Sequence, residues 1–233
     1  MSHQPTHRCR VVFRSLESAA FTLAELLAVI TMIGLLAGLL LPALSKAKAT
    51  VQHAHCVNHL RQWGLATQIY AHDHDDFLPD EGSPSPTLRM TNTGWYIALP
   101  RTLGLPVYST QAWRTNALAR PEPNLFLCAA NPRRATNNNL FHYCLNSHVD
   151  GTGNDDRPTK LGWIARPAQT VWLFDNGKRA AVAQQNNVHT NIHSGGAQFL
   201  FLDGHVARFH NTAYWDFKAA RGRTNNPEIL WIP

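Results

Sequence analysis

The chain has 233 residues, a formal net charge of +6, and a composition that is 44% hydrophobic but only 15% charged. That length holds one anchor helix and one globular domain, and the low charge excludes a mostly disordered protein. The positive balance is too mild for a nucleic-acid signature, since Arg8, Arg10 and Arg14 against Glu17 place part of it in the first twenty residues.

The stretch Phe21 to Leu41, FTLAELLAVITMIGLLAGLLL, is 21 residues long with one charge, Glu25. As a helix it spans about 31 Å, close to the roughly 30 Å of a bilayer's hydrocarbon. Three arginines precede it, and so do the small residues Ser18-Ala19-Ala20. Two readings are open, a secretory signal and a membrane anchor. A signal has an apolar core of about 7–15 residues with its cleavage site after it. Here the run is longer and the small-residue site comes first, which favours an anchor. The arginines put the N-terminus in the cytoplasm and the bulk of the chain on the outer side, although Lys46 and Lys48 weaken the contrast. A carboxylate in hydrocarbon is costly, so Glu25 is expected to have a partner and a role.

Ala20-Phe21-Thr22-Leu23-Ala24-Glu25-Leu26 resembles the processing site of type IV pilins and type II secretion pseudopilins, where Gly is normally followed by Phe-Thr-Leu-x-Glu. This chain has Ala20 in place of that Gly. The resemblance implies cleavage after Ala20 by a prepilin peptidase, methylation of Phe21, and packing of the helix into a filament core. Glu25 would there answer the terminal amine of a neighbouring subunit. Gly34 and Pro42 stand where pilin helices loosen or kink. The implied layout is a basic leader over 1–20, a transmembrane assembly helix over 21–41, its continuation over 42–78, and an extracytoplasmic α+β domain over 79–233. A plain signal anchor with a fortuitous Glu25 is the alternative.

From Ala43 to about Ala71 there is no proline and one glycine, Gly64. Leu44, Ala47, Val51, Ala54 and Val57 recur at three- and four-residue steps and predict the packed face of a helical spine. Cys56-Val57-Asn58-His59-Leu60-Arg61-Gln62 is similar to the C-x-N-x-L-[KR]-Q segment of one large pilin-like family. The helix is expected to end near His72–Asp76, before a loop over Glu81–Pro86. Residues 95–113 give no clear assignment. Leu125–Cys128 and Phe141–Leu145 read as short strands.

Gln169–Phe174 is β-branched and aromatic and stops at Asp175-Asn176-Gly177, which predicts a strand. Ala197–Leu202 and His205–Phe209 predict a hairpin around Asp203-Gly204, with a type I′ turn. The unbroken apolarity of the first arm predicts cover on both faces, one of them by the spine helix. His193, nine residues, then Asp203-Gly204 resembles the H-x9-DG signature of pilin-like proteins. The expected fold is α+β, a long N-terminal transmembrane helix continuing as a spine on a small antiparallel sheet.

Without Cys9, which lies in the leader, Cys56, Cys128 and Cys144 remain, an odd number for an oxidising compartment. Cys128–Cys144 closes a short loop and is the expected disulfide, with the connectivity left open by sequence. Two clusters could hold metal: His72 and His74 with Asp73, Asp75 and Asp76, and His189, His193, Asp203, His205 and His210. A catalytic zinc needs three convergent ligands and an open position. The favoured reading is that His193 and Asp203 brace a loop by hydrogen bonding. Asp150, Thr152, Asn154 and Asp156 alternate oxygen side chains as calcium loops do, but the EF-hand glycine and terminal Glu are missing. A polar surface turn is favoured there, with a looser calcium site as the alternative because some pseudopilins bind calcium in the outer domain.

No G-x-S-x-G elbow, P-loop or G-x-G-x-x-G run occurs, so no motif points to an enzyme. Arg114, Arg120, Arg133 and Arg134 with Trp113 make a basic, aromatic group that a DNA-binding minor pilin would use. A solvated face is the simpler account, and nucleic acid is not the expected partner. The expected function is structural: a non-enzymatic prepilin-like subunit without a resident cofactor, held in the bacterial inner membrane. Its expected partners are copies of itself or other pilin-like subunits, the prepilin peptidase, and the secretion or pilus machinery. The competing class is a signal-anchored, metal-dependent extracytoplasmic enzyme built on His193, Asp203 and His205.

Overall fold

The computed structural model describes residues 22–82, 94–119, 124–149 and 159–233. Ala20, Phe21, Arg120 and the calcium candidates Asp150, Thr152, Asn154 and Asp156 lie outside them. The chain divides into two compact units, 1–45 and 46–233. One helix, α1 (Leu23–Asp73), contributes to both and contains Pro42 without ending there.

In the first unit α1 begins with a reciprocal cap. The Thr22 amide and hydroxyl donate to Glu25 Oε2 at 2.9 and 2.7 Å, and the Glu25 amide donates back to Thr22 Oγ1 at 3.2 Å. Thr-x-x-Glu at a helix start is a capping box, and it meets donors that helical geometry leaves without partners. The apolar side chains that follow are exposed, Leu23 at 86% and Leu39 at 78%. This helix is long and apolar enough to cross a membrane.

In the second unit α1 buries Cys56, Leu60, Trp63, Thr67 and Ala71, a stripe at four- and three-residue steps. This is not the face predicted from sequence. Leu44, Ala47, Val51 and Ala54 are exposed, and Val57 is partly so. Both faces have helical periodicity, and the burial follows the bulk of Trp63 and the sulfur of Cys56. The helix stops at Asp73, within the expected His72–Asp76 end and short of the 42–78 bound of that layout. Asp75 and Asp76 adopt φ of 52° and 68°, and the Asp76 amide closes on the Ala71 carbonyl at 2.8 Å, a left-handed helix stop.

The domain also contains a short helix, α2 (Trp95–Thr102), and strands β1 (Tyr143–Asn146), β2 (Val171–Asp175), β3 (Val182–Ala183), β4 (Gly196–Phe201) and β5 (Val206–His210). The sheet order is β3-β1-β2-β4-β5. It is mixed and not antiparallel throughout, because β3 runs parallel to β1. The cause lies in the chain after β2. Asn176 Nδ2 donates to the Phe141 and Ala180 carbonyls at 2.9 and 2.8 Å, which carries the chain across to the outer edge of β1. A second hairpin, β6 (Trp215–Asp216) and β7 (Arg221–Gly222), follows the four-residue helix α3 (Asn211–Tyr214).

As the unbroken apolar run predicts, β4 is buried along its whole length. On one side Leu200 and Leu202 share a core with Leu60, Trp63 and Trp172. On the other, Phe199 and Phe201 share a core with Tyr214, Ile229 and Trp231. Trp172 Nε1 donates to Thr67 Oγ1 at 2.9 Å, which ties the sheet to α1. The β4–β5 turn is not type I′. Gly204 alone of its residues has positive φ (91°), and the Gly204 amide bonds the Phe201 carbonyl at 3.0 Å. This is a three-residue loop ending in a left-handed glycine.

Leu125–Cys128 forms no strand. It is a loop strapped to α1 by Trp63 Nε1 on the Leu125 carbonyl (3.1 Å) and by His59 Nδ1 on the Leu127 carbonyl (3.0 Å). The disulfide there is Cys56–Cys128, which replaces the expected Cys128–Cys144. Cys144 is a free, buried thiol. Its β1 position turns it to the face away from α1, among Val171, Phe174 and Phe199, whereas Cys128 packs on the α1 face.

Candidate functional site

Strand β2 ends in a carboxylate, and β4 begins just after a histidine. Their pairing brings the two together. Asp175 Oδ2 accepts from the Gln198 amide at 2.7 Å and lies 3.2 Å from His193 Nε2. Asp175 is 0% exposed. Its other oxygen, with Tyr143 Oη and Gln198 Oε1, is buried without a hydrogen-bond partner among the described residues. Tyr143 stands opposite Asp175 in the β1–β2 ladder. Burial, and then the Asp175 charge, push the Tyr143 phenol well above its usual range.

His193 is held by the loop that follows it. Ser194 and Gly195 adopt φ of 53° and 82°, and the His193 amide bonds the Gly196 carbonyl at 3.2 Å. Arg208 on β5 donates from Nε to the His193 carbonyl and from Nη2 to the Ser194 carbonyl, each at 2.7 Å. The His193 ring meets His53 edge-on, with centroids 5.2 Å apart. Gln198 Nε2 donates to the His53 carbonyl (3.1 Å) and to His53 Nδ1 (2.7 Å), so the His53 proton sits on Nε2. Burial first, then the nearby His193 and Arg208, lower the His53 pKa.

His53, His193, Ser194 and Arg208 line an open cleft of about 410 Å³, with Lys46 and Thr50 among its other lining residues. Among the described residues no carboxylate lines it. Asp175 is screened behind His193.

His193 Nε2 is also 3.5 Å from Cys128 Sγ. Cys56, Cys128 and His193 offer ligand atoms within 4.8 Å of one another, the one such group among the described residues. Both sulfurs are joined as a disulfide and present no thiolate, so the trio is a structural cluster rather than a metal centre.

The sequence reading of His193 with Asp203 is corrected. Asp203 and His205 sit at the far end of β4, whose six residues span about 20 Å. There Asp203 Oδ1 accepts from the His205 amide (3.0 Å) and pairs with His205 Nδ1 (2.6 Å), while the His205 ring stacks on Phe201. Asp203 and Gly204 shape the hairpin turn, and His193 pairs with Asp175. The zinc set His193, Asp203 and His205 therefore does not converge. His189 Nδ1 accepts from the Asn191 amide, and His210 caps α3.

The cluster at the end of α1 is likewise structural. His74 stacks on Tyr70, and Asp76 Oδ2 accepts from the Gly162 amide at 2.7 Å. Trp113 is buried, with its indole on Gln111, and Arg114 is spent on Asn139 and the Ser109 carbonyl. Neither forms an open stacking platform for bases.

Sequence reasoning missed Asp175, His53 and Gln198. Asp175 was visible as the acid closing an apolar strand, but Asp-Asn-Gly reads as a turn. Compared with family models, curated proteins and solved structures, the chain matches none.

Proposed function

We propose that this chain is a membrane-held, prepilin-like structural subunit. It is processed after Ala20, methylated at Phe21, and polymerised through Phe21–Leu41 into a type II secretion pseudopilus or type IV pilus. The observation that carries this reading is the exposed apolar surface of α1. Its side chains are open from Leu23 to Leu41 and remain so at Leu44 and Val51, a larger unpartnered surface than a soluble monomer displays. Burial of such helices against each other and against lipid is the mechanism of assembly, and Glu25 sets the register between subunits. The domain lies outside the bacterial inner membrane, with the N-terminus in the cytoplasm, and the Cys56–Cys128 disulfide suits that compartment.

The capping box favours a second reading, a plain signal anchor in which Glu25 serves its own helix. Mass analysis of the mature N-terminus separates the two. A chain beginning at methylated Phe21 is expected. A chain that retains Met1 and stays monomeric in the bilayer overturns the filament reading.

A further inference from the structure

We propose that the cleft between α1 and the His193–Arg208 wall is a phosphate site that takes the headgroup of an anionic phospholipid. The proposal rests on the reading of Phe21–Leu41 as membrane-spanning.

Charge is the first argument. Lys46 and Arg208 line the cleft, and among the described residues no carboxylate does. Among the described residues neither cation is in an ion pair. Two cations outside any ion pair at one open cleft attract an anion.

Pre-organisation is the second. Two bonds from Arg208, to the His193 and Ser194 carbonyls, fix its guanidinium plane, and no hydrogen bond among the described residues uses Nη1. Gln198 sets His53 as an Nε2–H donor that carries no charge. A planar arginine donor, a lysine point charge and a neutral N–H donor together suit a phosphate, whose several oxygens each accept.

Position along α1 is the third. Lys46 follows Leu41 by five residues, about 7.5 Å of helical rise. The polar layer beyond the hydrocarbon is roughly 5–8 Å deep on each side. When the apolar run fills the hydrocarbon, Lys46 reaches the level of lipid phosphates. Inorganic phosphate shares the chemistry but not the placement.

The test uses the full chain purified in a neutral detergent, titrated calorimetrically with short-chain phosphatidylglycerol, short-chain phosphatidylcholine and inorganic phosphate. Saturable binding of phosphatidylglycerol is expected, tighter than either of the others, with about a tenfold loss in Lys46→Gln. Among the described residues Lys46 donates no side-chain hydrogen bond, so that variant is expected to keep the domain intact, with circular dichroism as the check. Equal binding of inorganic phosphate overturns the lipid assignment. Equal binding of phosphatidylcholine, no binding at all, or an unchanged Lys46→Gln overturns the site. Carbonate extraction of native membranes reports separately on the membrane reading: a chain released by it fails that premise, whatever the titrations show.

Discussion

His193 Nε2 lies 3.2 Å from Asp175 Oδ2, and both side chains are shut off from solvent. The pair joins the loop before β4 to the end of β2, and the same carboxylate oxygen holds the Gln198 amide. Removing one partner of a buried pair strands the other. His193→Ala and Asp175→Ala are each expected to lose about 3 kcal/mol in urea unfolding of the domain. In a double-mutant cycle the two losses should be far from additive. Additive losses would mean that the contact contributes nothing of its own.

The Cys56–Cys128 bridge closes a 72-residue separation between α1 and the strapped loop. Chain entropy assigns such a cross-link about 4 kcal/mol. Cys128→Ser is expected to destabilise the domain by that order, and Cys144→Ala by much less. Non-reducing digestion should yield one peptide pair containing Cys56 and Cys128. A Cys128–Cys144 pair in that digest would refute the arrangement.

Glu25 has a local role in its capping box and a proposed one between subunits, and one substitution separates them. Glutamine preserves the Thr-x-x-Gln cap but removes the charge. If Glu25 answers a neighbour's terminal amine, Glu25→Gln abolishes filaments while the protein still inserts into membranes. Normal filament yield from Glu25→Gln, seen by electron microscopy, would reduce the residue to a helix cap.

His142 supplies a pH dependence. Its Nδ1 accepts from the Cys128 amide at 3.1 Å, so the Nε2 proton is directed to the Arg133 carbonyl at 3.3 Å. Burial lowers its pKa to about 4, against an ordinary value of 6.5. The unfolded chain therefore takes up the proton first. The stabilisation from neutral His142 is complete above about pH 6.5 and is lost as pH falls toward 4, by about 3 kcal/mol. Urea midpoints at pH 7.5 and 4.5 should differ more for the native chain than for His142→Gln.

Gly64 marks where α1 touches the β4–β5 turn. A Cβ there would lie 3.0 Å from Leu200 Cδ1 and 3.3 Å from Gly204 Cα. The leucine tip can shift, but the glycine backbone cannot. Gly64→Val is expected to cost about 1–3 kcal/mol of stability, measured by thermal unfolding.

The elements that sequence reveals here are those set by local pattern. The Phe21–Leu41 run, the spine that follows it, and the strands that became β2, β4 and β5 are each written in continuous apolarity or periodicity. The position of His193 before β4 was legible too, because it is counted along one chain. What it pairs with was not. Asp175 is eighteen residues earlier, and only the β2–β4 ladder puts the two side chains together. The buried face of α1 was misread for the same reason. Two stripes share helical spacing, and the partner, Trp172 and the strapped loop, decides which is covered. The disulfide followed suit: Cys144 is nearer to Cys128 in sequence, but its strand points it to the opposite face of the sheet. Periodicity is a property of a segment. Pairing is a property of the packed whole, since it depends on which faces the other segments cover.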